Sequence, residues 1–194
     1  MAKSNRLKAE PEKIEFPQSY RVVAGDLSLK RPGFCMLTLQ KSENETQIID
    51  IKLFSVDNKT DRKKEKGELL DDVLRAMAFN FPDEEKDGIV TYYVREKRIS
   101  SHFSDNTVYE AVGITDWFLW KQHKAWLELY PTTIKKLITG SGKAEKDQVA
   151  ESLKFYVGDI KYSNDDESDA TAVAIAWLIN NGEIKQKEVQ QNGT

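Results

Sequence analysis

The chain has 194 residues, of which 39% are hydrophobic and 31% charged, and its formal net charge is −3. This length suits one domain with short tails and can bury a real core. The composition excludes a membrane-spanning protein, because no stretch nears the roughly 20 apolar residues of a span, and it argues against a surface coated in nucleic acid while leaving a local basic face open.

Residues 1–18 are polar, charged and interrupted by Pro11 and Pro17, which predicts a mobile arm. Their opening, "MAKSNRLKAEPEK", has no apolar run of the kind a secretory signal carries. A single domain is expected over 19–182. "YRVVAGD" (Tyr20–Asp26) reads as a buried strand ending in an acid. "GFCMLTLQ" (Gly33–Gln40) and "TQIIDIKLF" (Thr46–Phe54) follow as strands joined by "KSENE". Their closeness in sequence predicts an antiparallel meander. "NKTDRKKEKG" (Asn58–Gly67) reads as a solvated loop. "ELLDDVLRAMAFNF" (Glu68–Phe81) has helical periodicity and stops at Pro82.

"GIVTYYV" (Gly88–Val94) is a fourth strand that runs into Arg95 and Glu96. An aromatic-rich helix covers Asn106–Gln122, with Asn106 as candidate N-cap. Its Trp117, Phe118 and Trp120 suit a core or a dimer interface better than base stacking. "AWLELY" (Ala125–Tyr130) is a fifth strand, followed by helices over Thr132–Thr139, Lys143–Val157 and Asp166–Asn180. The tail from 183 to 194 is polar and expected to fray. Three strands, then alternating helices and strands, predict an α/β layered domain with a five-stranded mixed sheet flanked by helices.

Chemistry narrows next. Cys35 is the sole cysteine, so intrachain disulfides and cysteine-zinc sites are excluded, and a reducing cytoplasmic setting fits. His102 and His123 are too few and too far apart for a histidine-metal site. Any metal would be held by oxygen. Asp26 and Glu96 each follow an apolar strand, and strand carboxyl ends line the crevice of an α/β sheet. "DDESDATAVAIAWLI" (Asp165–Ile179) crowds acids at the start of an apolar helix. Asp166 and Asp169, three apart, share a helix face. Converging carboxylates repel, and a divalent cation with a preference for hard oxygen ligands reverses that balance. Two such ions roughly 4 Å apart serve phosphodiester hydrolysis. The plainer reading stands beside it: Asp165 or Asp166 caps the helix, and Glu167 and Asp169 favour its positive end.

The order of these acids, with the segment between them, resembles the RuvC family of Holliday-junction resolvases. "GDLSLKRPGF" keeps that family's spacing of Asp26 to Gly33 and Phe34. "TIKKLITGSGKAEKDQV" is similar to its basic helix, glycine loop and A-x-K-x-Q-V run, through Lys135, Gly140, Gly142, Ala144, Lys146, Gln148 and Val149. "DESDATAVAIA" resembles its closing D-x-x-D-A motif, with Asp166, Asp169 and Ala170 in register.

The resemblance covers about Tyr20 to Asn180. It implies an RNase H-like three-layer fold and four catalytic metal ligands, Asp26, Glu96, Asp166 and Asp169. Two Mg²⁺ ions, replaceable by Mn²⁺, are implied as cofactors. So is a homodimer formed through the helix after Glu96, which resolves four-way DNA junctions by paired symmetric nicks. Lys135 and Lys146 match positions that contact the DNA backbone, and Lys136 and Lys143 extend the set. Six lysines between Lys121 and Lys146, against Glu128 and Glu145, predict a basic stripe beside the acids.

The chain departs from the family pattern in places. Leu27–Ser28 replaces a small Pro-Gly step, and "KRISSHFSDN" after Glu96 is divergent, with Phe103 as the candidate junction-stacking residue. Such features suit a phage or mobile-element version. A nuclease with relaxed preference among forks, flaps and three-way junctions is therefore one alternative, and a noncatalytic branched-DNA adaptor is another. "GSGK" (Gly140–Lys143) is not a nucleotide loop, since Leu137 and Ala144 stand where a Walker A needs Gly and Ser or Thr.

Overall fold

The computed structural model describes residues 14–28, 31–56, 65–97 and 106–187. Expectations for the first thirteen residues, for the charged loop over 57–64, for His102 and Phe103, and for 188–194 lie outside these residues.

Five strands form one sheet: β1 (Ser19–Asp26), β2 (Gly33–Lys41), β3 (Thr46–Ser55), β4 (Val90–Glu96) and β5 (Trp126–Leu129), in the order β3-β2-β1-β4-β5. β1 pairs antiparallel with β2 and parallel with β4. β2–β3 is antiparallel and β4–β5 parallel, so the expected meander and mixed sheet are both present. β1 is central and covered on both faces, which is why it reads as an unbroken apolar run rather than an alternating one.

The helices are α1 (Lys66–Asn80), α2 (Glu84–Asp87), α3 (Asn106–Trp120), α4 (Pro131–Thr139), α5 (Lys146–Val157) and α6 (Asp165–Asn180). Local capping shifts three starts from the expected positions. α1 begins at Lys66, inside the expected loop, because Glu68 accepts from the Glu65 backbone N–H. α5 begins at Lys146 rather than Lys143, because Gln148 accepts from the Glu145 N–H. Pro131 sits in the first turn of α4, where its missing N–H costs nothing. The four-residue α2 was not foreseen. It ties the amino ends of two strands together, through an Arg21–Asp87 ion pair and a Thr91 N–H bond to Glu84.

Two hydrophobic layers flank the sheet. On one face, Tyr20, Val22, Ala24 and Val94 pack with α4, α5 and α6. On the other, Val23, Phe34 and Tyr93 pack with Val73 and Met77 of α1 and Leu119 of α3. α6 is buried nearly all round from Ala170 to Leu178, between the sheet and α4 and α5. That placement explains its apolar run.

Both ends of the domain extend further than the sequence suggested. Phe16, assigned to the arm, packs on Tyr20, Tyr92 and Trp177. Glu183, assigned to a fraying tail, accepts from Tyr20, Thr46 and Lys41, and its side chain is 8% exposed. Among the described residues, no helix is long and apolar enough to cross a membrane.

Candidate active site at the carboxyl end of the sheet

Strand alternation aims the first two acids. Tyr20, Val22 and Ala24 face α6, so Asp26, next in that series, faces the same way. Tyr92 and Val94 face α6 on β4, so Glu96 does too. Gly25 is paired with Arg95 across the parallel ladder, which sets Asp26 and Glu96 on neighbouring strand ends, roughly 4.8 Å apart between strands. Glu96 lies within β4, two residues beyond the end expected from sequence. Its strand end is extended by a 2.6 Å hydrogen bond from Lys97 N–H to the Leu129 carbonyl.

Gly33 brings in the third acid. It lies opposite Asp26 in the β1–β2 ladder. A Cβ at Gly33 would fall 2.2 Å from the Asp166 carbonyl carbon and 2.5 Å from the Glu167 nitrogen. The first turn of α6 therefore rests directly on the backbone of β2, one ladder step from Asp26. Only glycine allows that approach.

The capping role goes to a residue the sequence reading passed over. Asn164 is the N-cap of α6 and accepts from the Glu167 N–H at 3.0 Å. Neither Asp165 nor Asp166 caps the helix, so the plainer reading of that acid cluster is corrected. Glu167 has a different task. It is 3% exposed, accepts from the Ser55 hydroxyl and the Ser163 N–H, and so pins the turn to the end of β3. Its signal in sequence was weak, because a buried acid between two candidate ligands looks like one more member of the cluster.

The electrostatics are those of crowded acids. Burial pushes the Asp166 carboxyl above the usual Asp range and Asp169 pushes it further, while Lys146 and Arg31 act against both. Lys146 donates to Asp169 at 2.7 Å. That hydrogen bond raises the Lys146 pKa, and the charges of Asp26 and Asp165 add to the rise. One ammonium thus lies in the field of acids from both β1 and α6. Arg31, on the connection after β1, is a second cation beside Asp166 that the sequence reading missed.

The acids form an open rim rather than a closed cage. Among the described residues, no three acidic, histidine or cysteine side chains are grouped tightly enough to enclose a metal. The expected basic stripe is also divided. Lys135 and Lys136 lie on α4, Lys143 precedes α5 and Lys146 reaches the rim. Lys124 instead pairs with Glu84, on the helix that ties the amino ends of the strands. Trp117 and Trp120 are 50% and 69% exposed, whereas Phe118 packs on Phe81. Cys35 is fully buried in β2, and burial pushes its thiol up to about 12.

A mixed five-stranded sheet, layered by helices, with acids at the ends of adjacent parallel strands and a closing helix whose acidic start rests on the neighbouring β2, defines an RNase H-like α/β protein. The comparisons agree. The family model described as "Crossover junction endodeoxyribonuclease RuvC" matches residues 29–177, and the chain belongs to the RuvC family. Over 53 residues it is 45% identical to the RuvC of Rickettsia bellii, a stretch covering 27% of this chain and 34% of that protein. The chain thus aligns with about a third of the length of the curated relatives it matches. Thermus thermophilus RuvC has the same fold, with a TM-score of 0.58 and 16% identity over 86% of this chain and 99% of that one. The same protein in complex with Holliday junction substrate matches with a TM-score of 0.58 and 16% identity, over 87% and 99% of the two chains.

Proposed function

We propose that this protein is a metal-dependent endonuclease that resolves four-way DNA junctions by paired symmetric nicks. The observation that carries this reading is the rim itself. Asp26 and Glu96 face α6 from adjacent strand ends, and Gly33, paired with Asp26, carries the Asp166 turn on its backbone. Membership of the RuvC family supports it.

The donor set fits Mg²⁺, with Mn²⁺ as a substitute. Every donor is a hard carboxylate oxygen, and Mg²⁺ is commonly held by one or two carboxylates with substrate phosphate and water completing its shell. An open rim leaves room for that phosphate. The upward shift of the Asp166 carboxyl and the Asp169–Lys146 ion pair support this reading, since crowded acids gain from a divalent charge. Asp26, Glu96, Asp166 and Asp169 would hold the ions. When bound, such ions supply activation of the attacking water and neutralisation of the leaving oxygen, giving 5′-phosphate and 3′-hydroxyl ends.

The other residues bind and orient. Lys146, beside Asp169 at the rim, would meet a phosphate of the strand to be cut. Lys135, Lys136 and Lys143 hold the backbone on either side. Glu167 and Asn164 keep the α6 turn fixed, so that Asp166 and Asp169 need no rearrangement when DNA arrives.

Paired nicking needs two sites, and α3 offers the surface for a homodimer. Tyr109, Gly113, Trp117 and Trp120 follow one another at helical spacing, and the three aromatics are 50%, 50% and 69% exposed. A Cβ on Gly113 would meet nothing within 4 Å, which leaves space for a second helix to approach closely.

The test is a labelled synthetic four-way junction with and without Mg²⁺, beside Asp26→Asn. Paired Mg²⁺-dependent nicks that the variant loses, with binding retained or strengthened, are expected. Equal cutting of forks, flaps and three-way junctions would replace a resolvase by a relaxed branched-DNA nuclease. Tight binding without nicks under either Mg²⁺ or Mn²⁺ would leave a noncatalytic adaptor.

A further inference from the structure

We infer that Arg95 is a positioning residue for Glu96, holding that acid from the opposite face of the sheet by a clamp to α3 and β5. The inference deepens the nuclease reading above and rests on it, because it concerns how one acid of that site is aimed.

Glu96 stands where β4 is least supported. The β1–β4 register ends at Gly25 and Arg95, whereas the β4–β5 register runs on to Glu96 and Leu129. The acid is therefore paired on the β5 side, and β5 is itself a four-residue strand at the edge of the sheet. A strand end backed by a short edge strand is prone to open locally. A drifting backbone would carry the Glu96 carboxyl with it.

Arg95 supplies the support. It follows Tyr93 at the same parity and is paired with Glu128, so its side chain lies on the α3 face while Glu96 faces α6. Its Nε and Nη2 both donate to Glu128 Oε1, at 3.0 and 2.9 Å, and its Nη1 donates to Asp116 of α3 at 2.5 Å. The guanidinium also lies over the Trp126 ring, 6.0 Å from its centroid. β4, β5 and α3 thus meet on one side chain, one residue from Glu96. The two residues share a planar peptide unit, so a fixed Arg95 restricts the direction in which Glu96 leaves the backbone.

Packing alone does not call for an arginine here. The side chain is 13% exposed, and withdrawing a guanidinium from water is costly unless its donors are paired. A strand end that needed only to fill the layer would carry an apolar side chain, as Tyr93 does two positions earlier. A planar fork between two carboxylates fixes direction as well as distance, which a lysine ammonium does not.

The experiment compares Arg95→Gln, Arg95→Lys and the milder Asp116→Asn, whose carboxylate is half-exposed, in the full chain without DNA. Amide hydrogen exchange by NMR reads the strand end at the Lys97 N–H, which donates to the Leu129 carbonyl, and the amides of β2 report global opening. Exchange at Lys97 should rise severalfold in both Arg95 variants and less in Asp116→Asn, with β2 unchanged. Titration with Mn²⁺, followed by the EPR signal of the free ion, reads the acid itself. Arg95→Gln should weaken Mn²⁺ binding about tenfold in the wild-type background and less than about twofold in Glu96→Gln. A residue that merely stabilised the fold would weaken both by the same factor.

Unchanged exchange at Lys97 would overturn the inference. So would equal losses of Mn²⁺ affinity in the two backgrounds, or full recovery by Arg95→Lys, which would put a charge effect in place of a clamp. The two readings fail separately. Mn²⁺ binding and nicking that survive Arg95→Gln untouched remove the clamp and leave the nuclease. Equal Mn²⁺ affinity in wild type and Glu96→Gln removes Glu96 from the metal site and with it the site assignment, while exchange at Lys97 still decides whether Arg95 holds the strand end.

Discussion

Gly33→Ala tests whether the α6 turn belongs to the active site. The added Cβ would fall 2.2 Å from the Asp166 carbonyl carbon, 2.4 Å from its oxygen and 2.5 Å from the Glu167 nitrogen. Ordinary contact begins near 3.4 Å, so the turn must retreat by at least about 1.2 Å. The atoms that the Cβ would meet are all backbone, and no rotamer change relieves the clash. Glu167 resists the retreat through Ser55 and Ser163, so part of the strain stays in place. Overpacking of this kind costs about 1–3 kcal/mol, or roughly 3–10 °C of Tm in a domain of this size. A misplacement of about 1 Å in a catalytic constellation costs on the order of 10²-fold in rate. Single-turnover nicking of the four-way junction and a thermal melt read the two effects separately. Gly25→Ala is the comparison, since the atoms nearest its Cβ would be side-chain atoms of Leu27 and Phe34, at 3.1 and 3.2 Å, rather than backbone. A Gly33→Ala protein that melts normally and nicks within twofold of wild type would refute the argument, because the acids of α6 would then be irrelevant to cutting.

Lys146→Gln should weaken junction binding and lower the salt slope by about one, and an unchanged slope would remove Lys146 from the phosphate contacts. Glu183→Gln should cost about 1–3 kcal/mol at neutral pH by denaturant melts. Burial raises the Glu183 pKa, but the donors Lys41, Tyr20 and Thr46 together hold it below the usual Glu value. Its stabilisation is therefore complete above the unfolded value of about 4.3 and is lost as pH falls through the lower folded value, so the gap between variant and wild type should close in acid. Gly113→Ala should raise the helix propensity of α3 by up to about 1 kcal/mol while weakening self-association, as read by a melt and by sedimentation; stronger association would move the dimer surface away from α3.

The fold was legible where period and burial agree. β1 to β3 were readable because turn residues separate apolar runs, and α6 because a nearly unbroken run of apolar helix formers follows its acids. The α2 helix escaped because four residues carry no period, and its signals, Asp83 as cap and a left-handed Gly88, resemble those of a turn. The site was legible as a set of acids, and only in part as geometry. Asp26 and Glu96 follow from strand ends. The contact of Gly33 with Asp166 joins residues more than a hundred apart, and nothing in the local pattern announces it. The basic stripe misled because six lysines near in sequence span a helix end, a strand and two more helices, which sends Lys124 to Glu84 and Lys146 to Asp169.

The acids at the head of α6 can now be separated by what each does. Negative charge is welcome at a helix start, but Asn164 already caps this one, and Glu167 is already bound to Ser55 and Ser163. Asp166 and Asp169 take no part in that capping and bonding. Burial and mutual repulsion raise the Asp166 pKa, so at neutral pH its charge opposes folding: a raised folded pKa stabilises only in acid, and the gain is lost as pH rises through it. Lys146 reduces the cost and leaves the net shift upward. A helix start that needed only to fold would gain from a neutral residue in place of Asp166. Asp166 is kept at a standing cost, and the turn that carries it is seated by Gly33, one ladder step from Asp26.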